Sequence, residues 1–214
     1  MSNTSVTENP PVVPQAPPAQ TTGPLAGAPG TVGLPMAIVG AFGLGLVNTG
    51  FVPASAAAAA VPTLIGATAL GLLLTTVWAC ALGENSTASI FALFFGFFGS
   101  YSALSLGFIN DWYGIPAEET ASAEAAWLIS WVFIFLLLTL VTLRLPLSFT
   151  LLFGLVDIAL ILLLIGNLQG STSMTNLGGW FTFAFIAVVV YLYADVMSSQ
   201  TGGRGLPLGQ PLVR

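Results

Sequence analysis

The sequence lacks most of the residues on which enzymes and metal sites depend. It contains no histidine, one cysteine (Cys80), and three arginines without a single lysine among 214 residues. A lone cysteine cannot form a disulfide within the chain. Without histidine, neither a Cys/His metal site nor a Ser-His or Cys-His catalytic pair is available. Three basic residues also exclude nucleic acid or anionic lipid binding through a basic patch. No cofactor or metal is expected, and Cys80 is expected to pack as a small apolar side chain.

The composition is that of a protein embedded in lipid. Charged residues make up 5% of the chain and hydrophobic residues 56%. A soluble domain needs a polar shell, commonly with about a quarter of its residues charged, and this chain cannot supply one. The composition therefore predicts a multi-pass protein of the cell (plasma) membrane. The net charge of −5 comes mainly from carboxylates expected in loops, and it identifies no ligand.

Six apolar segments occupy the middle of the chain, and each has about the 20 residues that a helix needs to cross the hydrocarbon core. Unbroken apolar runs without strand alternation favour helices over a β-barrel. Pro35 and Pro62 fall in first turns, where proline is tolerated. The predicted fold is all-α, with six transmembrane helices at about residues 32–52, 61–82, 87–109, 125–143, 145–165 and 178–197.

Two polar segments flank this apolar region. Residues 1–30 are rich in Pro, Thr, Ser, Gln and Ala, show no hydrophobic period, and lack the basic and apolar parts of a secretory signal. They predict a disordered N-terminal tail. Residues 198–214, rich in Gly and Pro, predict a second polar tail. The six-helix transmembrane domain is thus expected to span residues 31–197.

The three arginines predict the orientation of the chain. If the N-terminus is cytoplasmic, Arg144 lies in a cytoplasmic loop, and Arg204 and Arg214 lie in a cytoplasmic tail. All three then agree with the positive-inside rule. Both termini are therefore expected in the cytoplasm, and the acidic loop at 110–124 is expected on the opposite face.

Asp157 is the residue that stands out, because it lies near the middle of the otherwise uncharged segment 145–165. A charged side chain at that depth costs about 2.5–3.5 kcal/mol on insertion scales, and chains that keep one usually aim it at the bundle interior or a water-filled path. Three interpretations stay open. The carboxyl group is protonated and only packs, it lines a path and tunes selectivity or exchanges protons, or it pairs with a cation.

Aromatic and amide side chains are further candidates for a transport path. The third segment carries six aromatic residues within 91–101, which either pack in the core and against lipid or form a hydrophobic constriction. Asn48 and Asn167 lie at helix ends on the same predicted face. Each either caps its helix or contributes to an extracellular vestibule.

Several motifs point to a known family. They are Asn48-Thr49-Gly50, the sequence GFFGSY at 96–101, Gly166-Asn167, Gly170, Gly179-Trp180, Tyr191-Leu192 with Asp195, Gly203-Arg204 and Leu206-Pro207. In order and spacing these motifs resemble the acetate uptake transporter family, also described as succinate–acetate permeases, over about residues 28–209. The resemblance implies a six-helix protomer in a hexamer, each protomer with its own pore for acetate and related short carboxylates, including succinate.

The chain also departs from the family pattern. Of the family's signature Asn-Pro-Ala-Pro-Leu-Gly-Leu, only three positions match in residues 28–34. The family's hydrophobic constriction of Phe, Tyr and Leu falls by position on Ala37, Phe95 and Val156. One aromatic ring is lost, one keeps its ring without the hydroxyl group, and the aliphatic side chain is shorter. A wider or differently selective pore follows from this alignment.

The leading hypothesis is therefore a channel or proton-linked transporter for acetate-like acids. In it, Phe95 and Val156 form the constriction, with Ala37 at the third position, Asp157 is the proton-sensitive element, and Asn48 and Asn167 make the outer polar contacts.

Two other classes of function stay open. One is a channel for a small neutral solute such as urea or an amide, which the scarcity of basic residues within the membrane favours. The other is an interaction or sensor protein that transports nothing. An enzyme is not expected, because Asp157 has no second aspartate at comparable depth.

Overall fold

The structure is a computed structural model that describes residue 23 and residues 25–213. In this part of the chain it is all-helical, with six helices long and apolar enough to cross a membrane, as the hydropathy predicts. We label them in chain order: α1 Gly30–Asn48, α2 Ser55–Ala81, α3 Asn85–Ile109, α4 Thr120–Thr142, α5 Leu147–Gln169 and α6 Thr172–Gln200. Residues Ala117–Glu119 add a 3-10 turn before α4.

Helix α6 begins at Thr172 and not at 178, and helix α2 begins at Ser55, also ahead of its predicted start at 61. Its first part, up to Ala60, is a 3-10 helix in an alanine-rich stretch. One short α-helical piece follows at Val61–Thr63, then a π-helix at Leu64–Ala69, and the α-helix proper resumes at Leu70. The methyl side chains of these alanines mark no helix boundary, so hydropathy alone placed the start of α2 too late.

The connection between α5 and α6 is two residues long and follows from its sequence. Gly170 ends α5 in the left-handed conformation, with φ of 59°, which glycine adopts without steric cost. Ser171 then begins α6, and its hydroxyl group accepts a hydrogen bond from the backbone N–H of Met174 at 3.4 Å. Helices α5 and α6 are therefore antiparallel neighbours.

The ends of the helices define two faces of the bundle. The terminal face carries residues 25–29, the connections 82–84 and 143–146, and the C-terminal residues 201–213. The loop face carries residues 49–53, the connection 110–119 and residues 170–171. A hydrogen bond of 2.7 Å from Trp78 Nε1 to the carbonyl oxygen of Leu25 joins two elements at the terminal face.

The predicted N-terminal tail falls largely outside the described residues, since 1–22 and 24 are not among them. At the other end, residues 201–213 lie against the terminal face. The carbonyl oxygen of Leu208 accepts hydrogen bonds from both the backbone N–H and the hydroxyl group of Ser148, at 3.0 and 2.8 Å. The N–H of Val213 donates to the carbonyl oxygen of Leu143 at 3.0 Å. The C-terminal segment is thus hydrogen-bonded to the amino end of α5 and to the connection between α4 and α5.

Glycines let the helices approach closely, which is how a bundle packs in lipid. In α6, a Cβ atom at Gly179 would lie 2.8 Å from the backbone nitrogen of Thr49 at the end of α1. In α1, a Cβ atom at Gly40 would lie 2.5 Å from Thr68 Cγ2 of α2. The backbone of α1 is therefore held close to α6 near the loop face and to α2 at mid-height.

Candidate functional site

Three cavities lie in series between the two faces, and neighbouring cavities share lining residues. The terminal-face cavity has a volume of about 260 Å³ and the loop-face cavity about 200 Å³. Between them is a middle cavity of only about 40 Å³. Phe94, Phe98 and Phe185 line both the terminal-face and the middle cavity, whereas Asn48 and Leu163 line both the middle and the loop-face cavity. The bundle therefore contains one interrupted path that narrows at its centre.

The middle cavity is narrow because large rings from α3 fill the space between the helices. Phe94 and Phe98 are one helical turn apart, with ring centroids separated by 6.2 Å. The ring of Phe94 also packs at 5.3 Å from that of Phe135. Val156 and Ala41 complete the wall from α5 and α1. A solute that passes here exchanges its hydration shell for an apolar wall, which is the behaviour of a hydrophobic constriction.

The terminal-face cavity is largely apolar, with two carboxylates in its wall. Glu84 precedes α3, and Asp195 projects from α6. Asp195 Oδ1 accepts a hydrogen bond from the backbone N–H of Leu206 at 2.6 Å, which fixes the C-terminal segment beside the cavity. Leu208 of that segment also lines the cavity.

The loop-face cavity is the polar part of the path. Asn48, Tyr101, Glu124, Asn167 and Thr175 contribute to its wall. Asn167 Nδ2 donates a hydrogen bond to Glu124 Oε2 at 2.7 Å, and Asn167 Oδ1 is buried without a hydrogen-bond partner. An amide and a carboxylate from different helices therefore meet in the wall of one cavity.

The structure places four of the six predicted site residues along this path. Ala37 lines the terminal-face cavity, Val156 the middle cavity, Asn167 the loop-face cavity, and Asn48 both of the last two. Phe95 lines none of the three and is half-buried beside the core.

The aromatic rings of α3 that line the path are instead those of Phe91, Phe94, Phe97, Phe98 and Tyr101. Phe91, Phe94 and Phe98 are buried, and their spacing of three and four residues puts them on one side of the helix. That spacing was visible in the sequence, but Phe91, Phe95 and Phe98 have the same one, so periodicity alone did not choose between the two sets.

Asp157 is also absent from the walls of the three cavities. It is buried, with 5% of its surface exposed, and its Oδ2 atom lies 2.5 Å from Thr139 Oγ1 of α4. The same hydroxyl oxygen lies 3.0 Å from the carbonyl oxygen of Phe135. A hydroxyl group has one proton to donate. The Thr139 hydroxyl group is placed to donate to Asp157 Oδ2 and to share that proton with the Phe135 carbonyl oxygen.

Sequence reasoning missed Glu124 as a site residue. The predicted fourth helix began at residue 125, which left Glu124 among the loop carboxylates. In the structure α4 begins at Thr120, so Glu124 lies one turn inside the helix and faces the cavity. Its proximity to the apolar run was the only available signal.

The chain is similar to a known family in its sequence and to a solved structure in its fold. The model of the GPR1/FUN34/yaaH family matches residues 12–202. No curated protein matches the sequence. The fold is similar to the solved structure of the bacterial acetate channel SatP, with a TM-score of 0.74 and 21% sequence identity. That match covers 85% of this chain and 98% of the channel's chain.

Proposed function

The chain belongs to the GPR1/FUN34/yaaH family, the acetate transporter family that its motifs resemble, and we propose that it is a membrane channel or transporter for acetate and related short carboxylates, including succinate. The observation that carries this proposal is the row of three cavities with an apolar constriction of about 40 Å³. A constriction of this size suits a solute of a few heavy atoms. The proposed role is transport and not catalysis.

The orientation and the assembly belong to the same proposal. We place the terminal face, with Arg144 and Arg204, in the cytoplasm, in keeping with the positive-inside rule. The loop-face cavity is then the outer vestibule. We also propose that the chain assembles as a homo-oligomer, a hexamer by family resemblance, with one path in each protomer.

The proposed roles differ from those expected from the sequence at Phe95 and at Asp157, neither of which lines a cavity. Val156 keeps its predicted place in the constriction, and Phe94 with Phe98 supplies the rings that we had expected from Phe95. Asn48 and Asn167 make polar contacts with the solute in the outer vestibule. The support for these roles is that each side chain lines a cavity.

The direct test is uptake of labelled acetate into proteoliposomes. Acetic acid crosses lipid unaided, so uptake into empty liposomes is subtracted at every pH. We expect protein-dependent uptake that saturates with acetate concentration. Uptake no greater than that of empty liposomes would remove the acetate assignment.

A second candidate function is supported by one observation. Within the described part of the chain, no arginine side chain lines any of the three cavities, so an anion meets no permanent countercharge. This favours a neutral solute such as urea or an amide. Uptake of labelled urea or acetamide without acetate uptake would select this candidate.

We predict that Asp157→Asn leaves acetate uptake and its pH dependence unchanged. Asp157 lines none of the three cavities, and an asparagine amide keeps an oxygen that accepts from the Thr139 hydroxyl group and has nearly the same shape as the carboxyl group. Uptake is measured in proteoliposomes across external pH, with Asp157→Leu as the comparison. Leucine removes the hydrogen bond to Thr139, which keeps the Phe135 carbonyl oxygen as an acceptor, so we expect a loss of about 0.5–1.5 kcal/mol in the free energy of unfolding. An altered pH dependence in Asp157→Asn would instead support Asp157 as a proton-sensitive element of transport.

A further inference from the structure

Glu124 is the one carboxyl side chain in the wall of the loop-face cavity. The other polar residues in that wall are the amides Asn48 and Asn167, the phenol Tyr101 and the hydroxyl Thr175. The amino ends of α4 and α6 add partial positive charge at this face, and the carboxyl ends of α1, α3 and α5 add partial negative charge. When the carboxyl group of Glu124 is ionised, it therefore places a full negative charge beside a passing solute.

Nothing on the path neutralises this carboxylate. Arg144 and Arg204 lie at the terminal face, at the other end of the bundle, and no salt bridge is formed by Glu124 in the described part of the chain. Its hydrogen bond comes from the Asn167 amide, which is neutral. An acetate anion in this cavity would therefore face a like charge without a screening partner.

The hydrogen bond between Asn167 and Glu124 also favours an uncharged solute over an anion. Because its Nδ2 atom donates to Glu124, the amide presents its oxygen elsewhere, and that oxygen is buried without a hydrogen-bond partner. The oxygens of Glu124 are therefore the acceptors at this point of the wall, and they suit a solute that brings an O–H or N–H group. Undissociated acetic acid has such a group, and the acetate anion has only acceptors.

We infer that Glu124 is a specificity-determining residue of this path: its carboxylate, held by Asn167, excludes carboxylate anions and admits the undissociated acid. The inference rests on the proposed function, because it names the form of the acid that the path accepts. No bond is made or broken, and the proton crosses with the acid, so that transport is electroneutral.

The groups that face Glu124 limit what else could titrate in this cavity. Tyr101 from α3 is the other titratable side chain in the wall. The residues contributed by α1, α5 and α6 are Asn48, Leu44, Leu163, Asn167 and Thr175, which do not titrate. A change in pH dependence after substitution at Glu124 is therefore assigned to the carboxylate itself.

The experiment compares initial rates of acetate uptake in proteoliposomes at an acidic and an alkaline external pH, with empty liposomes subtracted. For Glu124→Gln we expect the ratio of the alkaline to the acidic rate to rise about tenfold, since removal of a like charge a few ångströms away lets the anion pass. A potential-sensitive dye should then report net charge movement in the variant and none in the wild type. Glutamine keeps an oxygen that accepts from Asn167.

Two controls separate charge from structure. Glu119→Gln removes a carboxylate that is exposed on the same face and lies outside the cavity, so we expect the wild-type ratio. Glu124→Asp keeps the charge and should also keep that ratio. Glu124→Ala removes the charge and should raise the ratio, and it replaces Glu124→Gln in the test if the glutamine variant does not fold.

The outcomes are distinct for the two proposals. A wild-type ratio in folded Glu124→Gln and Glu124→Ala overturns the role of Glu124 while acetate transport stands. The absence of protein-dependent acetate uptake in the wild type overturns the proposed function, and the role of Glu124 with it.

Discussion

Val156→Phe is expected to reduce acetate uptake to the level of empty liposomes. Val156 is buried in the wall of the middle cavity, where only about 40 Å³ is open. A phenyl ring at this position adds more volume than the cavity holds. Since the ring of Phe94 already packs against those of Phe98 and Phe135 there, the new ring has little space other than the path. The measurement is initial uptake of labelled acetate in proteoliposomes.

The matched control is Val190→Phe in α6. Val190 is 46% exposed and lines none of the three cavities, so the same change in volume is made on an outward surface. We expect wild-type uptake from this variant. Overpacking a core costs about 1–3 kcal/mol, so size-exclusion elution is used to check that Val156→Phe is folded. Wild-type uptake in folded Val156→Phe would show that solute does not cross the middle cavity.

Gly179→Ala should lower the stability of the bundle. A Cβ atom at this position would lie 2.8 Å from the backbone nitrogen of Thr49 and 2.9 Å from the backbone carbonyl carbon of Asn48. Both neighbours belong to main chain at the end of α1, which cannot turn aside as a flexible side chain can. The helices must separate, at a cost of about 1–3 kcal/mol, and Asn48 must move with α1. We expect a lower thermal unfolding temperature and slower acetate uptake.

Gly154→Ala is the control for this substitution. A Cβ atom at Gly154 of α5 would have no heavy atom within 4 Å apart from its own helix and chain neighbours. Alanine is the better helix former, by about 1 kcal/mol, so we expect an unchanged or higher unfolding temperature. Equal unfolding temperatures for the two variants would contradict the close approach of α6 to α1.

The sequence predicts which segments form membrane-spanning helices, but it does not predict which side of each helix faces the path. Hydropathy depends on composition within a window, so six helices were predictable, and the fold confirms them. Which ring of the third helix reaches the path depends on the rotation of that helix, which its neighbours decide. Phe94 and Phe95 are adjacent in a run of aromatics, and no local pattern distinguishes the one that meets a cavity wall.

Glu124 and Asp157 show the same limit for charged residues. Depth along the chain drew attention to Asp157, because an uncharged run surrounds it. Its partner Thr139 belongs to another helix, and the contact between them depends on how α4 packs against α5. Glu124 lies near a helix end, where carboxylates are common in sequences, and only tertiary packing brings it beside Asn167. Contacts between residues 18 and 43 positions apart are set by tertiary packing and not by local sequence.

Because residues 201–213 form hydrogen bonds at the terminal face, the wall of one cavity is completed late in synthesis. The amino end of α5 has backbone N–H groups that need acceptors, and Ser148 finds one in Leu208, 60 residues later in the chain. Proteins are synthesised from the N-terminus, and their earlier parts fold first. The wall of the terminal-face cavity is therefore completed only after residues 201–213 have left the ribosome, when all six helices have already been synthesised.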